Sequence, residues 1–251
     1  MRAVLMVAMA VIVAAVGASP ARAAGALAIA PLRVDLGGRA TNGTVTISNA
    51  GDAAVDCLAS AQRWTQSEGR PLVLEPAPEV AVFPRSFTLQ PGEKRTLRVG
   101  TLKATGDVER AYRLNVVQLP IEAKSGRPAL QFTTRLSVPI FVSAAGPPAS
   151  ATPEAVSINN DGLAVMVRAV GARHAFVRQN QISAYGADGS LVASTSVPGW
   201  YVLSGLVQRF DGTLPRGACH RIARVRLRTV DDSGAVVERL LIPNRVCSAA
   251  S

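Results

Sequence analysis

The sequence predicts an all-β protein of two β-sandwich domains, and three observations carry that reading. Apolar and polar residues alternate with period two in one short run after another, the pattern of half-buried strands. Turn-forming clusters such as "NAGD", "SEGR", "QPGE" and "DDSG" punctuate those runs. No run shows three turns of amphipathic helix. A small, proline-rich stretch, "SAAGPPASATPE" at 143–154, stays uncharged until its end and marks a linker between the domains.

The N-terminus stands outside this pattern. Arg2 is followed by an apolar run through Val16 and then by "ASPARA", ending at Ala23. A short positive region, a hydrophobic region and an A-x-A site predict a secretory signal over residues 1–23, cleaved after Ala23. No other stretch is long enough to span a bilayer as a helix. An exported protein is expected, with no integral membrane segment after signal cleavage.

Residues 24–145 read as the first domain. "LAIAPLRVDL" is one strand and "TVTISN" the next, closed by "NAGD". "AVDCLASAQRW", "VFPRSFTL", "KRTLRVG" and "YRLNVVQL" follow, and "LQFTTRLSVPIFVS" at 130–143 completes the set. Seven short strands with Gly, Pro and Asn turns predict an immunoglobulin-like sandwich, with Trp64 as a core aromatic. The antibody Cys–Trp–Cys spacing is absent. Residues 146–153 form the linker, and residues 154–251 a second sandwich. There "LAVMVRAV" is a strand, "QISAYGADGSLVAS" a hairpin, and "RIARVRLRTVDDSGAVVERLLIP" another.

The strand at 130–143 is the unusual element. Leu130, Phe132, Leu136, Val138, Ile140 and Val142 share one parity, interrupted by Thr134. At about 3.3 Å per residue it would run roughly 46 Å, several times the usual length. Pro139 lacks an N–H for a ladder and so argues for a sheet edge. A long apolar edge is an aggregation hazard that soluble proteins avoid, so this one calls for a purpose.

The three cysteines are Cys57, Cys219 and Cys247. Export permits a disulfide, and an odd count leaves one thiol over. Cys57 lies in a strand-like run and is expected to be buried and free. A final hairpin centred on Ser233 sets Cys219 opposite Cys247, within bridging reach.

Composition and motifs exclude several function classes. Formal net charge is +10, but the arginines are scattered and only 4% of residues are aromatic, so no nucleic acid is expected as partner. The sequence has two histidines, His174 and His220, and no nucleophile elbow, phosphate loop, dinucleotide fingerprint or metalloprotease motif. Cys219 beside His220 lacks metal-ligand spacing. Neither catalysis nor a metal or cofactor is expected. Binding is the better class, with the long edge strand as its organ.

An ordered set of segments then resembles the periplasmic pilus-assembly chaperones of the PapD-like, chaperone–usher family. They are "IAPLRVDL", "VTISNAGD", Trp64, "FPRSFTLQPGEKRTLRVG", "ERAYRLNVVQLP" and "LQFTTRLSVPIFV". The "RLSVPIF" ending is more similar to the archaic and spore-coat-protein-U types. The resemblance implies two immunoglobulin-like domains in an L-shaped or boomerang arrangement, pilin or fimbrial subunits as clients, and an outer-membrane usher as second partner. It implies donor-strand complementation, in which Leu130, Phe132, Thr134, Leu136 and Val138 would line a client's open groove. It also implies two basic residues holding the client's terminal carboxylate. Arg33 matches the first by its place in "PLRVDL". The lysine expected for the second falls at Pro139, which leaves Arg135 as the nearest basic candidate. Two other readings compete. A pilus component would be one incomplete sandwich with a free N-terminal extension, and a carbohydrate-binding module would carry exposed aromatics.

Overall fold

The structure, a computed structural model, describes residues 27–37, 40–67, 69–102, 106–120, 133–143, 146–147 and 149–247. The expected signal peptide and the expected donor residues Leu130 and Phe132 lie outside them.

Ten strands build the first domain. They are β1 (Leu27–Ala30), β2 (Val34–Leu36), β3 (Asn42–Asn49), β4 (Val55–Ser67), β5 (Arg70–Pro76), β6 (Val80–Phe83), β7 (Ser86–Leu89), β8 (Lys94–Thr101), β9 (Arg110–Gln118) and β10 (Arg135–Val142). One sheet runs β1-β3-β8-β6; the other runs β2-β10-β9-β4-β5, with β7 on β4. Alternation sends Val45, Ile47, Leu97 and Val99 from the first sheet against Leu114, Val116, Ile140 and Val142 from the second, all buried. Cys57 joins this core as a buried free thiol.

Two segments read as single strands are each two. "LAIAPLRVDL" breaks at Pro31: β1 pairs with β3, and β2 crosses to pair in parallel with β10. "VFPRSFTL" breaks at Pro84, so β6 pairs with β8 and β7 with β4. A proline supplies no N–H to a ladder, which makes it a natural point for a strand to change sheets. Strand β5 escaped the sequence reading because its "RPLVLEP" carries proline near both ends and no alternating burial.

The second domain holds β11 (Ser150–Asn159), β12 (Gly162–Val170), β13 (Ala175–Tyr185), β14 (Leu191–Pro198), β15 (Tyr201–Val202), β16 (Val207–Thr213), β17 (Arg224–Asp231), β18 (Val236–Leu241) and β19 (Asn244–Val246). Its sheets run β16-β12-β11-β19 and β14-β13-β17-β18, with β15 on β13. Strand β11 starts at Ser150, inside the segment read as linker. A register shift between Pro153 and Ala155 accommodates the proline, and Ala151 and Pro153 are both buried.

The β17–β18 hairpin has the anticipated register, with Val225 opposite Leu241 and Leu227 opposite Arg239. Cys219 and Cys247 are disulfide-bonded, their Cα atoms 5.8 Å apart. They are not a cross-strand pair of that hairpin, however. Cys219 sits in a short 3-10 turn, and Cys247 follows β19, which has left β18's sheet to pair with β11. The bridge therefore staples the chain end across the sandwich.

Trp64 is buried, but outside the sandwich core where it was expected. Strand β4 turns Val55, Cys57 and Ala59 inward, whereas Trp64 and Gln66 point to the opposite face. There Trp64 packs with Ala111, Phe141 and Leu203, the last from the second domain.

Candidate functional site

Strand β10 has two unlike edges. It pairs with β9 along its whole length, from Arg135 opposite Val117 to Val142 opposite Arg110. On its other side β2 covers only Ile140–Val142. Among the described residues, the edge from Arg135 to Pro139 has no neighbour in the sheet. Pro139 stands where the open edge ends, so its missing N–H leaves no donor unpaired there.

The strand's two faces differ as well. Val138, Ile140 and Val142 are buried in the first domain's core, and Leu136 packs half-buried at its rim. Val138 was expected among the donor side chains. It is instead 1% exposed in the core, opposite the fully buried Leu114. Thr134 is half-buried, and its carbonyl accepts from the Gln118 N–H at 2.9 Å. Arg135 is exposed on the other face and makes no ion pair among the described residues.

That second face carries a cation that sequence reasoning missed. Arg113 lies opposite Pro139 in the ladder and is 8% exposed. Its Nε donates to Ser137 Oγ and its Nη2 to the Ser137 carbonyl, each at 3.1 Å. Its guanidinium stands 5.1 Å from the Trp64 ring centre and 5.9 Å from that of Trp200. Burial lowers its pKa, and no carboxylate pairs with it among the described residues. A guanidinium desolvated without a counter-charge is costly, so the arrangement favours an anion arriving from outside. The signal was present in "AYRLNVV". Arg113 interrupts the parity opposite Tyr112, Leu114 and Val116, on the face that the long strand also presents.

Arg33 lies between β1 and β2, its side chain 43% exposed. Its Nε donates to Asp35 Oδ2 at 2.8 Å. Partial burial works against the charge, but Asp35 outweighs it and the guanidinium pKa is raised. Arg33 and Arg113 both act electrostatically on Tyr201 of the second domain. The two cations are thereby brought to one neighbourhood, whereas Arg135 stands apart.

Polar contacts join the two domains. The Gln66 amide donates to the Tyr201 carbonyl and accepts from the Leu203 N–H, both at 2.9 Å. The Glu109 carboxylate accepts from the His174 backbone N–H at 2.9 Å, meets His174 Nδ1 at 2.6 Å and takes the Ser143 hydroxyl at 3.0 Å. The His174 ring stacks on Phe141 with centres 3.7 Å apart. Desolvation would raise the Glu109 pKa, but the contacts with His174 outweigh it and hold it low.

Two packed β-sandwiches, one with a partly open sheet edge, place the chain among two-domain all-β proteins. Residues 26–147 match the family described as "Pili and flagellar-assembly chaperone, PapD N-terminal domain". Over those residues the chain carries the N-terminal domain of this family of assembly chaperones. No curated protein matches its sequence. Among solved structures, it is similar to a chain of the CsuC–CsuE chaperone–tip subunit pre-assembly complex from archaic chaperone–usher Csu pili of Acinetobacter baumannii. That match has 19% identity and a TM-score of 0.57, covering 88% of this chain and 99% of the other. The Escherichia coli chaperone DraB matches at 15% identity and TM-score 0.53, over 87% and 98% of the chains. The Salmonella enterica SafA pilin–SafB chaperone complex matches at 15% identity and TM-score 0.53, over 87% and 96%. At these identities the likeness is one of fold. No helix among the described residues is long and apolar enough to cross a membrane.

Proposed function

We propose that this protein is a periplasmic chaperone that captures pilin subunits by donor-strand complementation and delivers them to an outer-membrane usher. The observation that carries the reading is the open edge of β10 from Arg135 to Pro139, with the buried cation Arg113 on the strand face beside it. A client lacking one strand would pair with that edge and take the side chains of Leu130, Phe132, Thr134 and Leu136 into its groove. Each ladder bond contributes only about 0.5–1.5 kcal/mol net, against about 1.5–3 for a buried Leu or Phe, so side-chain insertion dominates. Arg33 and Arg113 would receive the client's terminal carboxylate and set its register. Arg135 is a further basic candidate, at the far end of the open edge. The signal sequence and the disulfide support export to the periplasm.

Purification of the exported protein from its own periplasm, with and without Leu136→Asp, tests the reading. A pilin subunit identified by mass spectrometry should accompany the parent protein and be lost from the variant, because the charge cannot enter an apolar groove. Leu136 sits at the core's rim, so the variant's melting temperature should fall only modestly. Undiminished pilin recovery with the variant would refute donation by this strand.

A further inference from the structure

We propose that the outward face of the second domain's β14-β13-β17-β18 sheet is a docking surface for an anionic phospholipid membrane. Strand register shows which side chains share that face. Val225, Leu227 and Thr229 of β17 point into the sandwich and are buried, so Arg224, Arg226 and Arg228 point outward and are exposed. Pairing sets Tyr185 beside Arg224, Leu240 beside Arg226 and Glu238 beside Arg228. Leu191 lies opposite Tyr185 on β14, and Ile242 follows the end of β18. With strands about 4.8 Å apart, the four together span roughly 14 Å. Leu191, Leu240 and Ile242 are each more than half exposed.

The charges on this face do not balance. Glu238 is the one acidic side chain turned outward from these four strands among the described residues. It meets Arg226 at 3.5 Å and Arg228 at 3.1 Å, while Arg224 has no ion pair among the described residues. Arg226 also lies over the Tyr185 ring, 5.4 Å from its centre, and Arg228 donates to Gln181 Oε1 at 3.0 Å. These contacts hold the guanidinium groups against the sheet without cancelling their charge. The opposite sheet of the same domain is the balanced case. There Arg168 meets Glu154 and Arg209 meets Asp211, one acid to each cation. Cations alone would suit any polyanion. Exposed Leu and Ile among them suit the boundary between headgroups and acyl chains, where apolar side chains insert and arginine and tyrosine stay at headgroup level. An extended peptide is the poorer occupant. Although β18 is the last strand of its sheet, the exposed Arg239 takes its core-facing parity and Pro243 follows it, two devices that protect an edge from strand pairing. The patch belongs wholly to the second domain, so docking there does not use the open edge of β10.

The test is co-sedimentation of the full mature chain with vesicles. Vesicles of phosphatidylglycerol and phosphatidylcholine in equal parts should bind the parent protein far more tightly than vesicles of phosphatidylcholine alone, and added salt should weaken that binding. Arg224→Gln with Arg226→Gln should weaken it by about thirtyfold. Leu240→Ser with Ile242→Ser should weaken it by about tenfold. Both pairs are exposed, so melting temperatures should stay near the parent's. Arg168→Gln with Arg209→Gln, on the opposite sheet, should bind as the parent does. Equal weakening by all three pairs would make net charge responsible and overturn the proposal. A parent that does not distinguish the two kinds of vesicle would overturn it as well. So would a Leu240–Ile242 variant that binds normally while soluble polyglutamate displaces the protein, since the face would then be a site for acidic polypeptide.

Discussion

The two halves of β10 share one sequence pattern and have opposite fates. From Ile140 to Val142 the strand is covered by β9 on one edge and β2 on the other, and Ile140 and Val142 are fully buried. From Arg135 to Pro139 it keeps β9 and has no second neighbour among the described residues, and Leu136 is only half-covered. Alternation reports which side chains share a face; it does not report who fills that face. In the closed half the chain's own sandwich does so. In the open half the face and edge lead out of the domain.

Substitution in the two halves separates stability from capture. Ile140→Asp should have the largest effect, since an unpaired carboxylate in a packed core costs more than about 4 kcal/mol. Thermal melts should show the first domain unfolded or nearly so. Leu136→Asp should leave a folded chaperone that recovers no client. If the two variants melt alike, the halves do not differ as described.

The disulfide offers a control in the other domain. Replacing Cys219 and Cys247 together by serine should cost roughly 2–4 kcal/mol in the chain-entropy view. Chemical denaturation should show the second domain weakened and the first domain, with the open edge of β10, unaffected.

Arg113→Ala removes a buried cation that ties β9 to Ser137 on the face beside the open edge. Client affinity should fall by about ten- to a hundredfold, corresponding to a charge-assisted bond of about 1.5–3 kcal/mol. The melting temperature should change little, because the buried charge lost with the side chain offsets the lost bonds. Unchanged client binding would leave Arg33 without a partner.

The smallest effect is expected at Glu79, which immediately precedes β6 in the first domain. Its carboxylate accepts from Arg63 at 2.7 Å and from the Tyr112 hydroxyl at 3.1 Å. The Arg63 bond comes first among the contacts that lower its pKa to about 2. Because the folded value lies below the unfolded one, the stabilisation is complete above the ordinary carboxylate range and is lost as pH falls toward 2. Melts between pH 7 and pH 2 should show an acid decline that is shallower in Glu79→Gln. Identical acid limbs would assign the decline to other carboxylates.

Much of the fold was legible because period-two alternation and turn residues are local. The β17–β18 register followed from the "DDSG" turn alone, and β10 from its apolar row. What local pattern could not supply was the choice of sheet. Pro31 and Pro84 divide strands that look continuous, and only the assembled sandwich shows each half joining a different sheet. Trp64 illustrates the same limit within one strand, since β4 serves the core with Cys57 and the interdomain face with Trp64. At the candidate site, Arg33 was singled out by its place in an ordered segment. Arg113 was not, because its importance comes from lying opposite Pro139 on a neighbouring strand.

The central claim is that the open half of β10 is completed by a client strand. Backbone amide hydrogen exchange of β10, with and without a bound pilin, tests it most directly. The amides of residues 134–138 that do not bond β9 should exchange fast in the free protein and become strongly protected on binding. Those of Ile140–Val142 should be protected in both states. Fast exchange at 134–138 persisting in a saturated complex would contradict the account, since a bound client would then be engaging some other surface.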